Sequence, residues 1–229
     1  MDSLSAKIPD VSLHSQLLNG HEFKSIRGKI ILPAWKDFNK ARKENDISDG
    51  QENHDSITIN IGSIITEGIP GITEEHINAY NFLVENQEPV KRAILTSLLS
   101  QYSALQEQYD YDAEDSAAIM PDISAADDFK SLIRLSEIHI LDTSKEGMSY
   151  VGYQFLSTWD EEHGLGFMLH KDRVVETGGA DTSFLEWIAE RDLDPERVNA
   201  EIEASYRLAE EQNREKNRQQ EKKPWWKFW

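Results

Sequence analysis

Apolar positions along this chain follow two periods, and the switches between them divide it into strands and helices. Ile57, Ile59 and Ile61 alternate strictly in I-T-I-N-I-G, which predicts a half-buried strand. Upstream, G-K-I-I-L-P (Gly28 to Pro33) reads as a strand stopped by proline, with Asn19-Gly20 favouring a tight turn before it. Residues 39–56 are polar, with little to bury, and read as an exposed loop. From Thr73 the spacing becomes helical. Thr73 suits an N-cap, Glu74 and Glu75 sit where the helix dipole favours acids, and Ile77, Tyr80 and Val84 supply an apolar face. Pro89 fits the first turn of a second helix, in which Ile94, Leu95, Leu98, Leu99, Tyr102 and Leu105 keep helical spacing. Residues 106–117 are acidic and read as loop. Ser124 reads as the cap of a short helix carrying Phe129, Leu132 and Ile133.

Period two then returns. Ile138 and Ile140 alternate, D-T-S-K-E-G makes a turn, and Tyr150 to Phe155 reads as a strand leading into Trp159. Leu165, Phe167 and Leu169 alternate, Gly166 marks a candidate bulge, and Lys171-Asp172 turns the chain into Arg173 to Glu176. Four strands in such close succession predict an antiparallel meander. Ser183 with Glu186 has capping-box spacing and opens a helix carrying Phe184, Trp187 and Ile188. Asp194-Pro195-Glu196 starts another, whose apolar stripe (Val198, Ile202, Ser205, Ala209) is narrow. Helical to about residue 221, it would span roughly 40 Å. The fold class expected is α+β: an antiparallel sheet with a C-terminal four-strand meander, packed against several helices, plus a projecting C-terminal helix. The organisation expected is an α+β domain over 1–190, a charged helical extension over 191–223 and an aromatic tail over 224–229.

Charge sharpens this division. The 229 residues carry 42 acidic and 24 basic side chains, for a net charge of -18. Eight of each lie after residue 193, so that segment is neutral and 34 acids against 16 bases belong to the rest. An acidic body repels phosphate backbones and anionic lipid, which argues against nucleic acid, and it would steer a partner with a basic surface toward it. High net charge also serves solubility alone. The chain has no cysteine, which excludes disulfides and thiolate chemistry and fits a reducing cytoplasm. No run of 18 apolar residues predicts a membrane span, and the opening M-D-S-L-S-A-K-I-P-D lacks the pattern of a secretory signal.

The most chemical-looking stretch is W-D-E-E-H-G-L-G, Trp159 to Gly166. Carboxylates and imidazole are metal-ligand and acid-base types. In a strand, however, neighbours point to opposite faces, so adjacent residues are not expected to converge on one ion or substrate. Trp159 then covers a sheet edge, Asp160, Glu161, Glu162 and His163 give turn polarity, and Gly164 permits a positive φ. His139 and His170 stand alone on strands, the pattern of surface or hydrogen-bonded core histidines. Nucleophile elbow, phosphate-binding loop and H-E-x-x-H are all missing from the sequence. The expectation is no catalytic residue, no metal and no cofactor.

The run Y-V-G-Y-Q-F-L-S-T-W-D-E-E-H-G-L-G-F-M-L-H-K-D-R-V-V-E resembles a family of bacterial domains of unknown function. Their shared core is a strand ending in W-[DE]-x-E-H-G-L, a second strand and a basic hairpin. The motif falls on Trp159, Asp160, Glu162, His163, Gly164 and Leu165. P-D-I-S-A-A-D-D-F-K-S-L-I-R-L-S-E-I-H-I resembles the family's helix-then-strand lead-in. The resemblance spans roughly residues 5–190, is specific over 120–177, and implies a fold and not a reaction. Its members are similar in style to small cytosolic immunity proteins found near toxin systems.

The chain ends K-K-P-W-W-K-F-W, with Trp225, Trp226, Phe228 and Trp229 in the last five residues. Residues 214–229 carry six bases and two acids. Large aromatics beside lysines mark a contact: with the chain's own acidic body, with the groove of another protein or a second copy, or with a membrane interface. The function expected is a cytosolic binding protein for a partner with a basic surface, with an immunity-type role as its specific form. The alternatives are a hydrolase or metal enzyme using Asp160, Glu162 and His163, and a peripheral membrane protein held by the tail.

Overall fold

The computed structural model describes residues 8–18, 21–39, 56–62, 71–112 and 117–221. The Asn19-Gly20 turn, most of the 39–56 loop and the aromatic tail lie outside these residues. Seven strands form one sheet in sequence order: β1 (Val11–Leu18), β2 (His21–Ile31), β3 (Ser56–Ile61), β4 (Ile133–Lys145), β5 (Met148–Ser157), β6 (Leu165–His170) and β7 (Arg173–Gly178). The β4–β7 run is the expected antiparallel meander. β1, β2 and β3 also pair antiparallel, while β3 and β4 pair in parallel, with Ile59 beside Ile138 and Ile61 beside Ile140. A parallel pair needs a crossover. It contains α1 (Glu74–Glu85) and α2 (Gln87–Tyr109).

The two helices bury Ile77, Leu83, Val90, Ile94, Leu95, Leu98 and Tyr102 in one core with Ile59, Ile61, Ile138, Ile140, Tyr153, Phe155, Phe167 and Leu169 from the sheet. Thr73 caps α1 as expected, accepting from the His76 N–H while His76 Nδ1 accepts from the Thr73 N–H at 3.0 Å. The inward positions of α1 are His76, Ile77, Ala79 and Leu83, not Val84, which is exposed. α2 continues through residues expected to be loop, as far as Tyr109. Gln106 explains this in part: its amide donates to the Met120 carbonyl at 2.9 Å, so a polar turn still has tertiary partners.

The opposite face of the sheet carries a second, smaller core of Leu141, Tyr150 and Met168 against Ile188 and Ala189 of α3 (Glu186–Leu193). With cover on both sides, all six residues of β6 are buried, so the expected alternation of Leu165, Phe167 and Leu169 does not divide inside from outside. The 3-10 helix at Ala180–Ser183 crosses so close that a Cβ at Gly152 would lie 1.6 Å from the Ser183 carbonyl oxygen. A Cβ at Gly166 would lie 2.3 Å from the Gly179 carbonyl oxygen. Gly166 therefore serves close approach, and the irregularity in β6–β7 pairing falls at Met168/Leu169 instead.

Two expected caps are different in kind. Ser124 does not cap the short helix; Asp128 accepts from the Ser124 and Ala125 N–H groups, the helix is a 3-10 helix over Ala126–Ser131, and Ile133 already belongs to β4. Ser183 donates to the Ala180 carbonyl, and Glu186 reaches across to β4, where it accepts from the Asp142 and Thr143 N–H groups and the Thr143 hydroxyl. β4 is irregular against β5 between Ile140 and Ser144, so this carboxylate satisfies backbone donors that the ladder misses.

Contacts divide the chain into two units, Met1–Ala189 and Glu190–Trp229. The second contains α4 (Pro195–Glu221), opened by Asp194, whose carboxylate accepts from the Arg197 N–H at 3.0 Å. Along α4, Val198 is buried, Tyr206 and Leu208 are exposed, and Arg197–Glu201, Arg207–Glu203 and Arg214–Glu210 form ion pairs one turn apart. Among the described residues, no helix is long and apolar enough to cross a membrane.

Candidate functional site

β5 ends at Ser157, and the chain re-enters the sheet at Leu165. Between them the backbone turns, which changes the geometry expected of W-D-E-E-H-G. Trp159 is buried and meets Tyr102 edge to face, with ring centroids 5.8 Å apart. Burial, with the nearby Asp122 charge, pushes the Tyr102 phenol up to about 12. Asp160 then organises the turn. Its Oδ1 accepts from the His163 N–H at 2.8 Å and its carbonyl accepts from the Gly164 N–H at 3.0 Å. Gly164 has φ +61, and a Cβ there would lie 2.7 Å from the Phe155 carbonyl oxygen, so glycine is required on two counts.

The turn brings the His163 Nδ1 within 3.2 Å of Asp160 Oδ1. The expectation that period-two geometry would scatter these side chains fails here, because Asp160 and His163 lie three apart in a turn and not along a strand. Glu161 and Glu162 are exposed beside them. The second Asp160 oxygen accepts from Tyr109 Oη at 2.6 Å, and Tyr111 Oη donates to the Trp159 carbonyl at 2.7 Å. Partial burial raises the Asp160 carboxyl, but the hydrogen bonds from Tyr109 and His163 outweigh it and hold the group below the usual aspartate value. Burial, reinforced by that same carboxylate, pushes the Tyr109 phenol far above its ordinary value. At neutral pH the pair is a carboxylate held by a phenol that keeps its proton.

These groups line an open cleft of about 520 Å³, with Tyr109, Tyr111, Ile119, Thr158 and Trp159 on its walls and Asp160, Glu161, Glu162 and His163 along it. The two tyrosine rings are parallel, their planes 5° apart and their centroids 6.0 Å apart. Sequence reasoning missed both tyrosines. Q-Y-D-Y carries them two residues apart in a stretch read as acidic loop, and that pairing was the available signal.

A second polar cluster lies on the sheet. His139 is buried, with its Nδ1 3.4 Å from Asn60 Nδ2, its Nε2 3.3 Å from Gln154 Oε1, and its ring tilted against Phe184. Glu137 accepts from Asn60 at 2.8 Å and lies 3.8 Å from Arg27. Burial pulls the His139 ring below its ordinary value, against the opposing pull of Glu137 and Gln154. His170 is buried too, its Nε2 3.0 Å from the Lys145 carbonyl. Among the described residues, no three His, Cys, Asp or Glu side chains gather as a metal site would require. Trp225, Trp226, Phe228 and Trp229 lie outside the described residues.

Neither the curated proteins nor the solved structures contain a match to this chain. Residues 37–185 match the model of a family described as Domain of unknown function (DUF6985). That span is more than half of the chain and holds β3 to β7, both crossover helices and the whole Asp160 corner. The protein is therefore a member of the DUF6985 family.

Proposed function

We propose that this protein is a cytosolic binding protein whose partner presents a basic surface. The observation that carries this reading is the confinement of the entire -18 charge to residues 1–193, the part that holds the sheet and the cleft. Such a field steers a basic protein toward this surface and repels nucleic acid. The aromatic tail supplies a second contact, since tryptophans are frequent anchors of protein interfaces. An immunity-type role, in which the partner is a toxin, is the specific form of this reading. The test is affinity capture from the cells that make the protein, using the full chain, a chain lacking 224–229, and a chain with acids of the body reversed to lysine. One dominant basic protein is expected, retained less at high salt and lost on charge reversal. Retention of nothing specific, or retention indifferent to salt and charge reversal, overturns the reading.

A second reading has one observation in its favour, the 3.2 Å approach of Asp160 Oδ1 to His163 Nδ1. A carboxylate orienting an imidazole at the edge of a cleft is half of a general-base arrangement. It lacks a neighbouring nucleophile among the cleft residues, and Asp160 already has a structural task in holding the turn. The peripheral-membrane alternative rests on the tail alone.

A further inference from the structure

We infer that the cleft between Tyr109, Tyr111 and the Asp160–His163 turn is a binding site for the guanidinium group of an arginine on the partner protein. This rests on the basic-partner reading above and names the place and the group recognised.

The cleft combines two features that a guanidinium uses and few other groups use together. The first is aromatic. Tyr109 and Tyr111 are half-buried, parallel, and fixed by their own hydroxyls on Asp160 and on the Trp159 carbonyl. Rings held in this way offer a preformed face to a flat cation, at little cost in side-chain freedom. The second is anionic. Asp160 remains ionised beneath the cleft, and Glu161 and Glu162 stand exposed on the same turn. A carboxylate oxygen carries two lone pairs, and Asp160 Oδ2 has one hydrogen bond given by Tyr109. A planar fork of N–H donors can stack on a tyrosine and meet carboxylates at its edge, whereas an ammonium offers only a point charge. The volume of about 520 Å³ lies within the roughly 300–1,000 Å³ usual for ligand sites. Another cleft, about 480 Å³ between α2 and β7, has Arg92 and Asp172 on an otherwise small or apolar lining and carries no such complementarity.

The experiment is an NMR titration of the full chain with N-acetyl-arginine methylamide and, separately, its neutral near-isostere N-acetyl-citrulline methylamide. The expected result is a saturable set of shifts at Tyr109, Tyr111 and residues 160–163 with the arginine probe, and none with citrulline. The E161Q/E162Q double variant changes two exposed side chains. It should keep the wild-type spectrum elsewhere and raise the dissociation constant about tenfold, equivalent to about 1.4 kcal/mol. Equal shifts with both probes, shifts spread over the acidic surface, or unchanged affinity in the double variant would each overturn the assignment. The capture experiment separates this failure from that of the parent reading. A basic partner held equally well by E161Q/E162Q sinks the cleft assignment and leaves the basic-partner reading standing. Arginine binding in the cleft with no partner retained sinks the basic-partner reading and, with it, a protein as the source of the guanidinium.

Discussion

His139 and His163 each stand close to a carboxylate, and their circumstances are opposite. His139 is buried on the sheet; its carboxylate, Glu137, lies 3.8 Å away on the same strand, but Asn60 on β3 and Gln154 on β5 reach it from the neighbouring strands, with Phe184 over the ring. The side chain of His163 is 71% exposed, and its partner Asp160 is three residues away on the same turn. The first neighbourhood is assembled by the fold and the second by the local backbone. A polar group of the first kind is costly to disturb because it is itself buried and bonded across strands; one of the second kind can change without touching the core.

The sharpest contrast is deletion of each ring. His139→Ala should cost about 3 kcal/mol, from lost packing plus the polar contacts to Asn60 and Gln154. His163→Ala should stay within about 0.5 kcal/mol. Urea midpoints measure both, and a large loss in H163A would erase the distinction. Next in size is Gly164→Ala, expected to cost about 2 kcal/mol through positive φ and a Cβ pressed on the Phe155 carbonyl. Asp160→Asn should then cost about 1 kcal/mol, as charge-assisted bonds to Tyr109 and His163 become ordinary ones.

The two neighbourhoods should also part along the pH axis. The folded-state pKa of His139 is depressed, so the unfolded chain takes up that proton first as pH falls. Its contribution to stability is full above its ordinary value of 6.5 and declines below it. That of Asp160 is likewise depressed, so its contribution is full above 3.8 and is lost as pH falls further. Urea midpoints followed downward from pH 7.5 should fall in two steps. His139→Gln should remove the upper step and D160N should shrink the lower, to which Glu75 and Glu146 also contribute; a lower step of unchanged size in D160N would assign it elsewhere. The smallest effect expected is Glu162→Gln, neutral for stability within about 0.5 kcal/mol, which leaves it free to report on binding alone.

The sequence and the fold agree most closely where neighbours in sequence are also neighbours in space. The β4–β7 meander was legible from alternation and from turns such as Glu146-Gly147, both at positive φ. Thr73 was legible as a cap from itself and the next few residues. What was illegible came from distant partners. The second cover over β6 makes Met168 and His170 as buried as Phe167, and no period in L-G-F-M-L-H announces it. The last turn of α2 is polar in sequence, yet Gln106 and Tyr109 both find partners beyond residue 119. The candidate site was half legible. Its acids and Gly164 stood out, but the strand rule misplaced Asp160 and His163, and the two tyrosines arrive from a helix end some 50 residues earlier.

The parallel pairing of β3 with β4 sets an order of assembly. Everything from Ile133 to Gly178 can zip strand by strand through short turns, and β1 and β2 can do the same. Joining β3 to β4, however, requires the chain from residue 62 to residue 132 to close into a loop before a single ladder bond rewards it. Loop closure of that length slows folding more than it weakens the finished sheet. The meander, with the Asp160 corner inside it, is thus positioned to form early and to act as the template on which the N-terminal strands dock last.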